Sequence, residues 1–398
     1  MTWLHRYASV LRIGGVTPAF LASLVGRLSL GMTGLAILLL IRQTNGSYAA
    51  AGVVSAVYAL SFAFGAPARA RGADRRGPVG VLVQCAVLQP LALVALAVLA
   101  KAGAPIVVLA LPAAVAGLYL PPHGAVMRAL WARSVPAASL PSAYSLESVC
   151  VELCFVLGPA LVAGLSAAIG PAAALITSGV VSMAGAAGMA AARGVRAVQP
   201  EADVTRDRAG PLTSPAVRAL LLTVVWIGTS FGAVEVAMPA FAEKSGSRPA
   251  AAGVLLAVWA FGSILGGLVY GAVHSSLPHA QQMGYLVVAL AIGSLLPMLA
   301  PGPVTMGIAL LLYGTTIAPF MACNAVLLGA AAPRGTTTEA FAWNSSMIFA
   351  GAAIGTAVAG ALADAAGPTA ALAVTAVAGA LTLVVSVRSR RHLLQLTG

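Results

Sequence analysis

Two stretches of sequence decide the fold, because one is a near copy of the other. Residues 49–60 read AAAGVVSAVYAL, and residues 250–261 read AAAGVLLAVWAF. Eight of the twelve positions are identical, at an offset of 201 residues. Each stretch opens an apolar segment that is long enough to cross a lipid bilayer. The chain is therefore expected to contain an internal repeat of membrane-spanning helices.

Further matches at a nearly equal offset extend this repeat over the chain. The stretch from Pro18 matches the one from Pro215, and AYSLES at Ala143 falls on AFAWNS at Ala340, both at an offset of 197. Runs of alanine can align by chance, but glycine, proline and aromatic positions also coincide. The glycine and proline matches are Gly31 with Gly228, Gly158 with Gly355, and Gly170-Pro171 with Gly367-Pro368.

The composition predicts an all-α membrane protein with twelve transmembrane helices in two six-helix pseudo-repeats. Hydrophobic residues make up 60% of the chain and charged residues 8%, whereas soluble domains carry about 25% charged residues. Lipid offers no water to unpaired backbone groups, so the apolar segments are expected to be helices. The predicted spans are 16–41, 49–68, 79–100, 105–126, 140–165, 171–192, 219–240, 250–273, 282–300, 304–330, 338–363 and 368–387.

The net charge of +12 does not indicate nucleic-acid binding, because nearly all basic residues fall between the predicted spans. The loops on one side hold seventeen basic residues and those on the other side hold four. Cytoplasmic loops are enriched in Lys and Arg. We therefore expect a multi-pass protein of the cytoplasmic membrane with both termini in the cytoplasm.

The repeat also predicts the domain organisation. An N-terminal six-helix half is expected over 1–193, a cytoplasmic linker over 194–214, and a C-terminal six-helix half over 215–398. Six spans in each half give both halves the same membrane orientation. Parallel repeats of this kind place a substrate site at their interface, near the middle of the bilayer.

The loop after the second span carries a motif. Residues 70–77 read ARGADRRG, which resembles the loop signature G-x-x-x-D-R-x-G-R-K/R of the major facilitator superfamily. The resemblance implies that superfamily's fold, alternating access, and a conformational latch formed by Asp74, Arg75 and Gly77. Asp74 is expected to contact the cytoplasmic end of span eleven. A charged loop that only fixes the topology remains the alternative. The equivalent loop of the second half, 271–275, has no acid.

Four charged residues lie away from the ends of the predicted spans, where burying a charge in lipid costs at least ~2.5–3.5 kcal/mol. They are Arg27, Glu147, Glu152 and Glu235. We expect them to handle the coupling charge; the alternative is a buried structural pair of Arg27 with one of the two glutamates of span five. Matching depths in the membrane favour Arg27 with Glu152, and Glu147 is the competing partner.

Other residues have less specific readings. Thr336 and Glu339 have the spacing of a capping box at the start of span eleven, so Glu339 is expected to cap that helix. Pro121 and Pro122 predict a kink or break in span four. The resemblance implies that a further set of residues faces the substrate cavity, although each is compatible with plain packing. This set is Tyr119, Trp226, Tyr313, Trp343 and Asn344.

These observations predict a secondary active transporter and not an enzyme. The chain has no Walker A sequence, so transport is expected to be coupled to protons, with no cofactor and no metal. Gly158-Pro159 is similar to the core of a motif of the superfamily's exporters. We therefore expect proton-coupled antiport, the efflux of a drug-like or antibiotic-like small molecule that could confer antibiotic resistance, by a monomer in the bilayer. The alternative is an importer or facilitator of a small metabolite.

Overall fold

A computed structural model describes residues 15–45, 48–199, 209–246, 250–273, 275 and 277–394. The predicted termini and the 200–208 part of the predicted linker lie outside the described residues, as does His274 in the loop of the second half. Twelve helices in the described part of the chain are long and apolar enough to cross a membrane. The prediction of twelve spans is confirmed.

The first half consists of six spans, α1–α6, of which the fourth is broken into two helices. They are α1 (Val16–Asn45), α2 (Tyr48–Arg76), α3 (Pro78–Lys101), α4a (Ile106–Leu118), α4b (His123–Ser134), α5 (Leu140–Ala168) and α6 (Pro171–Ala191). The break at Pro121 and Pro122 agrees with the sequence, since proline lacks an N–H for the helical ladder.

The second half repeats this arrangement, including the broken helix. It contains α7 (Pro215–Lys244), α8 (Ala250–Ala272), α9 (His279–Leu295), α10a (Pro303–Gly314), α10b (Ile317–Ala331), α11 (Thr337–Ala366) and α12 (Pro368–Leu394). The break between α10a and α10b was not predicted, because no proline lies in the gap at Thr315 and Thr316.

Glycine–proline pairs separate several consecutive spans. Gly77, Gly170 and Gly367 have φ values of 88°, 116° and 83°, a region that only glycine adopts without strain. Proline follows each of them and occupies the first turn of the next helix. The match of Gly170-Pro171 with Gly367-Pro368 therefore reflects the same turn in both halves.

The matched glycines mark the same helix crossing in both halves. A Cβ on Gly158 of α5 would lie 2.8 Å from the Cα of Gly31 in α1. A Cβ on Gly228 of α7 would lie 2.9 Å from the carbonyl carbon of Ile348 in α11. Close approach of two backbones in lipid requires small residues at the contact. These glycines are thus explained by packing within each half.

Two symmetric pairs of helices join the halves. α2 packs against α11, and α5 packs against α8. The repeat makes α8 the equivalent of α2 and α11 the equivalent of α5, so the two pairs are related by the pseudo-symmetry of the fold. α5 also contacts α10b, and α4b contacts α11.

Candidate functional site: the contacts between the two halves

The start of α11 is capped by a carboxylate from the other half. Asp74, near the end of α2, accepts hydrogen bonds from the backbone N–H of Thr338 at 3.1 Å and of Glu339 at 2.8 Å. Its side chain is only 5% exposed. The first N–H groups of a helix lack partners within the helix and favour a negative charge. The predicted contact of Asp74 with span eleven is therefore confirmed, and this end of the bundle is called the latch end below.

Arg71 adds an ion pair beside this contact. Its Nε donates to Glu339 Oε2 at 2.9 Å, and its Nη2 donates to Glu339 Oε1 at 2.6 Å. Such a two-pronged pair fixes orientation as well as charge. Arg75 is exposed at the end of α2, and Gly77 forms the turn into α3.

The prediction that Glu339 caps its own helix is wrong. The side chain of Thr336, at the N-cap position, accepts no capping hydrogen bond and instead donates to the carbonyl of Pro333 at 2.7 Å. Asp74 occupies the N–H groups, which leaves the Glu339 carboxylate to Arg71. Sequence spacing could not show this, because the competing carboxylate lies more than 260 residues away in the chain.

The predicted pair of Arg27 with Glu152 is also wrong, since Arg27 binds Glu147. Both guanidinium Nη atoms contact this carboxylate, Nη2 to Oε1 at 2.8 Å and Nη1 to Oε2. The pair joins α1 to α5 inside the first half, with Glu147 fully buried. Glu147 and Glu152 are five residues apart and thus about 140° apart around the helix. The face of the helix, and not its depth, selects the partner.

Glu152 faces the second half. Its Oε1 accepts a hydrogen bond at 2.9 Å from Ser263 of α8, which is 1% exposed. Two serines of α5 also donate across the interface, Ser142 to the carbonyl of Gly271 at 2.6 Å and Ser145 to that of Gly267. Glu152 is therefore an ionisable side chain placed between the halves.

The repeat assigns an apolar counterpart to this contact. Under the two offsets, Phe62 corresponds to Ser263 and Phe349 corresponds to Glu152. Phe62 and Phe349 do meet, with ring centroids 5.4 Å apart and edge to face. Nearby, Ser346 donates to the carbonyl of Ala63 at 2.8 Å. The same place in the fold is thus apolar in one interface and holds a carboxylate in the other.

Sequence analysis missed three basic residues that lie inside helices of the first half, His123 and Arg69 buried and Arg128 half-buried. Arg128 and Arg69 were assigned to loops, but the structure places them inside α4b and α2, because charged residues lower the hydropathy of a helix end. Arg128 lies close enough to Glu147 and Arg27 for their charges to interact. His123 packs against Gly26 and beside Arg27. Arg27 and Arg128 therefore share one carboxylate, that of Glu147.

The residues predicted to face the cavity differ in their surroundings. Tyr313 is fully buried and hydrogen-bonded to Ser230 at 2.5 Å, and Asn344 accepts from Asn324 at 2.8 Å. Both partners belong to the second half. Trp343 donates to Glu339 at 3.4 Å.

Three further predicted positions remain partly or largely accessible. Tyr119 and Trp226 are half-buried, whereas Glu235 is exposed on α7, one turn after Phe231. The ring of Phe231 contacts that of Trp259 in α8, with centroids 5.3 Å apart. Since residues four apart share a helix face, Glu235 lies on the side of α7 that faces α8.

Two related six-helix halves that meet along pseudo-symmetric helix pairs define a membrane transporter fold. Residues 220–394 match the family model of the Major Facilitator Superfamily. The match lies within the second half of the chain, and the first half repeats the same arrangement of helices.

Solved structures of known transporters share the fold over nearly the whole chain. A bacterial homologue of the iron transporter ferroportin in an outward-facing state is 15% identical, with a TM-score of 0.77 over 94% of this chain and 98% of that one. The human organic anion transporter MFSD10 is 17% identical, with a TM-score of 0.71 over 95% and 99%. The proton:xylose symporter XylE is 11% identical, with a TM-score of 0.73 over 96% and 99%. A search of curated proteins found no match.

Proposed function

We propose that this protein is a proton-coupled antiporter that exports a small, drug-like molecule from the cytoplasm. The observation that carries the proposal is the hydrogen bond between Glu152 and Ser263 at the interface of the halves. Ionisable residues inside membrane helices are costly and mark proton and substrate pathways. The equivalent Phe62–Phe349 contact supports this reading, because an apolar pair suffices for packing at that place in the fold.

The coupling follows from the position of Glu152. Alternating access moves the two halves against each other around a fixed site, so the α5–α8 contact changes during the cycle. A carboxylate accepts a hydrogen bond from Ser263 in its charged form, whereas its protonated form carries no charge and can itself donate. Loading a proton therefore changes the strength of a contact between the halves and links proton movement to their rearrangement.

The contacts at the latch end support an outward-facing state. Asp74 and Arg71 of the first half both bind the start of α11 in the second half. The positive-inside bias of the loops assigns this end to the cytoplasm. In this assignment the cytoplasmic entrance is closed and both termini are cytoplasmic. We also propose that the monomer is the functional unit.

Export is the proposed direction because Gly158-Pro159 is similar to the core of an exporter motif. The structure gives Gly158 a packing role against Gly31, at the crossing of α1 and α5. Uptake is the second candidate, since two proteins that share the fold are a fucose:proton and a xylose:proton symporter.

Proteoliposomes with an imposed pH gradient test the proposal. Ethidium serves as the drug-like probe and radiolabelled xylose as the sugar probe. We expect ethidium movement that follows the gradient, is independent of ATP, and disappears in Glu152→Gln. Glu243→Gln, an exposed glutamate at the end of α7, is the matched control and should transport normally. Gradient-driven xylose movement without ethidium movement would favour uptake, and equal activity of both variants would refute the role of Glu152.

A further inference from the structure

The first half contains a buried arginine that the transport proposal does not use. Arg69 lies on α2, seven residues before its end, with a side chain that is 9% exposed. None of its three guanidinium nitrogens has a hydrogen-bond partner among the described residues. An isolated buried charge is expensive unless it is paired and hydrogen-bonded. Arg69 thus presents five N–H donors and a full positive charge without a protein acceptor.

The neighbouring arginines show that a buried guanidinium without a carboxylate partner is unusual among the described residues. Arg71, two residues away, is paired with Glu339, and Arg27 is paired with Glu147. Asp74, on the same helix, is engaged with the start of α11. The sequence has only ten acidic residues against twenty-two basic ones. The acids near Arg69 are thus already bound elsewhere.

The direction of the side chain excludes a lipid-headgroup role. A long basic side chain near a helix end commonly extends towards the membrane surface, which for α2 would be towards Arg76. The side chain of Arg69 instead extends towards the start of α2. A Cβ atom added to Gly65, one turn earlier, would lie only 2.5 Å from Nη1 of Arg69. Because Gly65 has no side chain, the guanidinium has room at this position, and its charge points into the helix bundle.

The surroundings are rich in polar groups. The carbonyl oxygen of Leu118, at the end of α4a, would lie 3.2 Å from the same added Cβ atom on Gly65. Cys85 of α3, Tyr58 and Tyr119 are close enough to interact with the Arg69 charge. Gln89, one turn from Cys85 on α3, is fully buried, and neither atom of its amide has a hydrogen-bond partner in the part of the chain that the structure describes. A guanidinium and an amide group can together hold one anion.

The site also lies next to the contact between the halves. Tyr58, Phe62, Gly65 and Arg69 follow one face of α2 at helical spacing. Phe62 on this face touches Phe349 of the second half. A group bound at Arg69 would therefore adjoin the interface that alternating access rearranges.

We propose that Arg69 is an anion-binding site for a single carboxylate or halide, held by the guanidinium with Gln89 and the tyrosine hydroxyls nearby. The anion has two possible sources, a free inorganic ion such as chloride or the carboxylate of a transported molecule. This site goes beyond the proposed proton coupling, and its test needs no transport.

The thermal unfolding midpoint of the purified protein tests the site. The protein is kept in sodium gluconate, because the long hydroxylated chain of this anion is too large and too polar to follow its carboxylate into the buried site. Chloride, bromide or benzoate then replaces gluconate stepwise at constant ionic strength. A ligand that binds only the folded state raises the midpoint in a saturable way. We expect saturable stabilisation by chloride and bromide, by benzoate, or by all three in competition. Stabilisation by halides alone identifies a free-ion site, and stabilisation by benzoate identifies a carboxylate site.

Arg69→Gln is the decisive variant, and Arg76→Gln, an exposed arginine on the same helix, is its control. Hydrogen bonds to charged groups are worth about 1.5–3 kcal/mol, so Arg69→Gln should raise the half-saturating anion concentration roughly ten- to hundredfold. In gluconate alone it should unfold at the same or a higher temperature than the unaltered protein, because it removes an unpaired charge. Arg69→Lys should bind anions with intermediate affinity, since it keeps the charge but loses the planar fork.

Two results would overturn the site. One is an unaltered protein that shows no difference between the small anions and gluconate. The other is an Arg69→Gln variant that keeps the full anion response, unfolds earlier in gluconate, or does not fold. Either result would leave the test of Glu152 in proteoliposomes unaffected.

Discussion

Phe62 and Ser263 occupy equivalent positions of the repeat, as do Phe349 and Glu152. In the α2–α11 interface the two aromatic rings pack edge to face, whereas in the α5–α8 interface a serine donates to a carboxylate. The latch end shows the reverse distribution. There the α2–α11 interface carries Asp74, Arg71 and Glu339, and the hydrogen bonds seen between the described residues of α5 and α8 run from serine to carbonyl groups.

The difference indicates a division of labour between two interfaces of common origin. One interface holds its charges at the latch end, where they connect the two halves. The other holds its charge deeper, where the proposed protonation would alter the contact between the halves. Because the repeat gives both interfaces similar packing, we propose that the departures from symmetry mark the functional groups.

The largest effect is expected for a charge that does not belong to either interface. Glu147→Leu should lower the free energy of unfolding by about 3–5 kcal/mol, because it leaves Arg27 buried and unpaired. The double variant Arg27→Leu/Glu147→Leu should recover most of that loss. Thermal unfolding of the purified variants measures both. A double variant as unstable as the single one would show that the pair does more than neutralise charge.

Removal of the polar contact between the halves should have the opposite pattern of effects, with little change in stability and a loss of transport. Glu152→Leu/Ser263→Ala replaces both partners of the hydrogen bond by apolar groups, a change that can be nearly neutral for stability. The protein should therefore fold with nearly unchanged stability and lose gradient-driven ethidium transport. Its equivalent, Phe62→Ala, should cost at least the ~0.5–1.5 kcal/mol of an aromatic pair and keep the response to the pH gradient. If both variants retained gradient-driven transport, the difference between the two interfaces would not explain proton coupling.

Asp74→Asn tests the latch. It keeps the side-chain shape but removes the charge at the start of α11, which is worth roughly 0.3–1 kcal/mol. The closed population at the latch end should fall, and turnover should change without loss of expression. Accessibility of a single cysteine placed at Thr338 to a water-soluble thiol reagent reports this opening. Labelling at the same rate in both proteins would argue against a latch.

Arg71→Gln should have the smallest effect. Arg71 is 34% exposed, although Glu339 is 2% exposed. Water therefore reaches the arginine side of the pair, and ion pairs that are open to solvent contribute about 0–1 kcal/mol. The same labelling assay should give a smaller increase than for Asp74→Asn. A larger increase in the labelling rate would reverse the ranking. It would show that the ion pair of Arg71 with Glu339 stabilises the closed latch end more than the helix cap does.

Hydropathy and the repeat predicted the architecture because both depend on patterns along the chain. Span lengths and the break at Pro121 are examples that the structure confirms. The contact of Asp74 with α11 is also confirmed, but that prediction came from the resemblance of the 70–77 loop to a family signature. The pairing of Arg27 was predicted wrongly, since depth along a helix does not specify which face a residue occupies. Arg69 and Arg128 were missed for a related reason: a charge near a span end lowers local hydropathy, so the helix was ended too early.

The most direct test of the central claim follows the two halves while the pH changes. Spin labels on cysteines replacing Arg76 and Arg334, exposed residues of opposite halves at the latch end, give the distance between the halves by pulsed electron paramagnetic resonance. The account predicts that lowering the pH shifts the populations of short and long distances, and that Glu152→Gln removes this shift while Glu243→Gln preserves it. A pH-dependent shift that persists in Glu152→Gln would contradict the assignment of Glu152 as the group that couples protons to the movement of the halves.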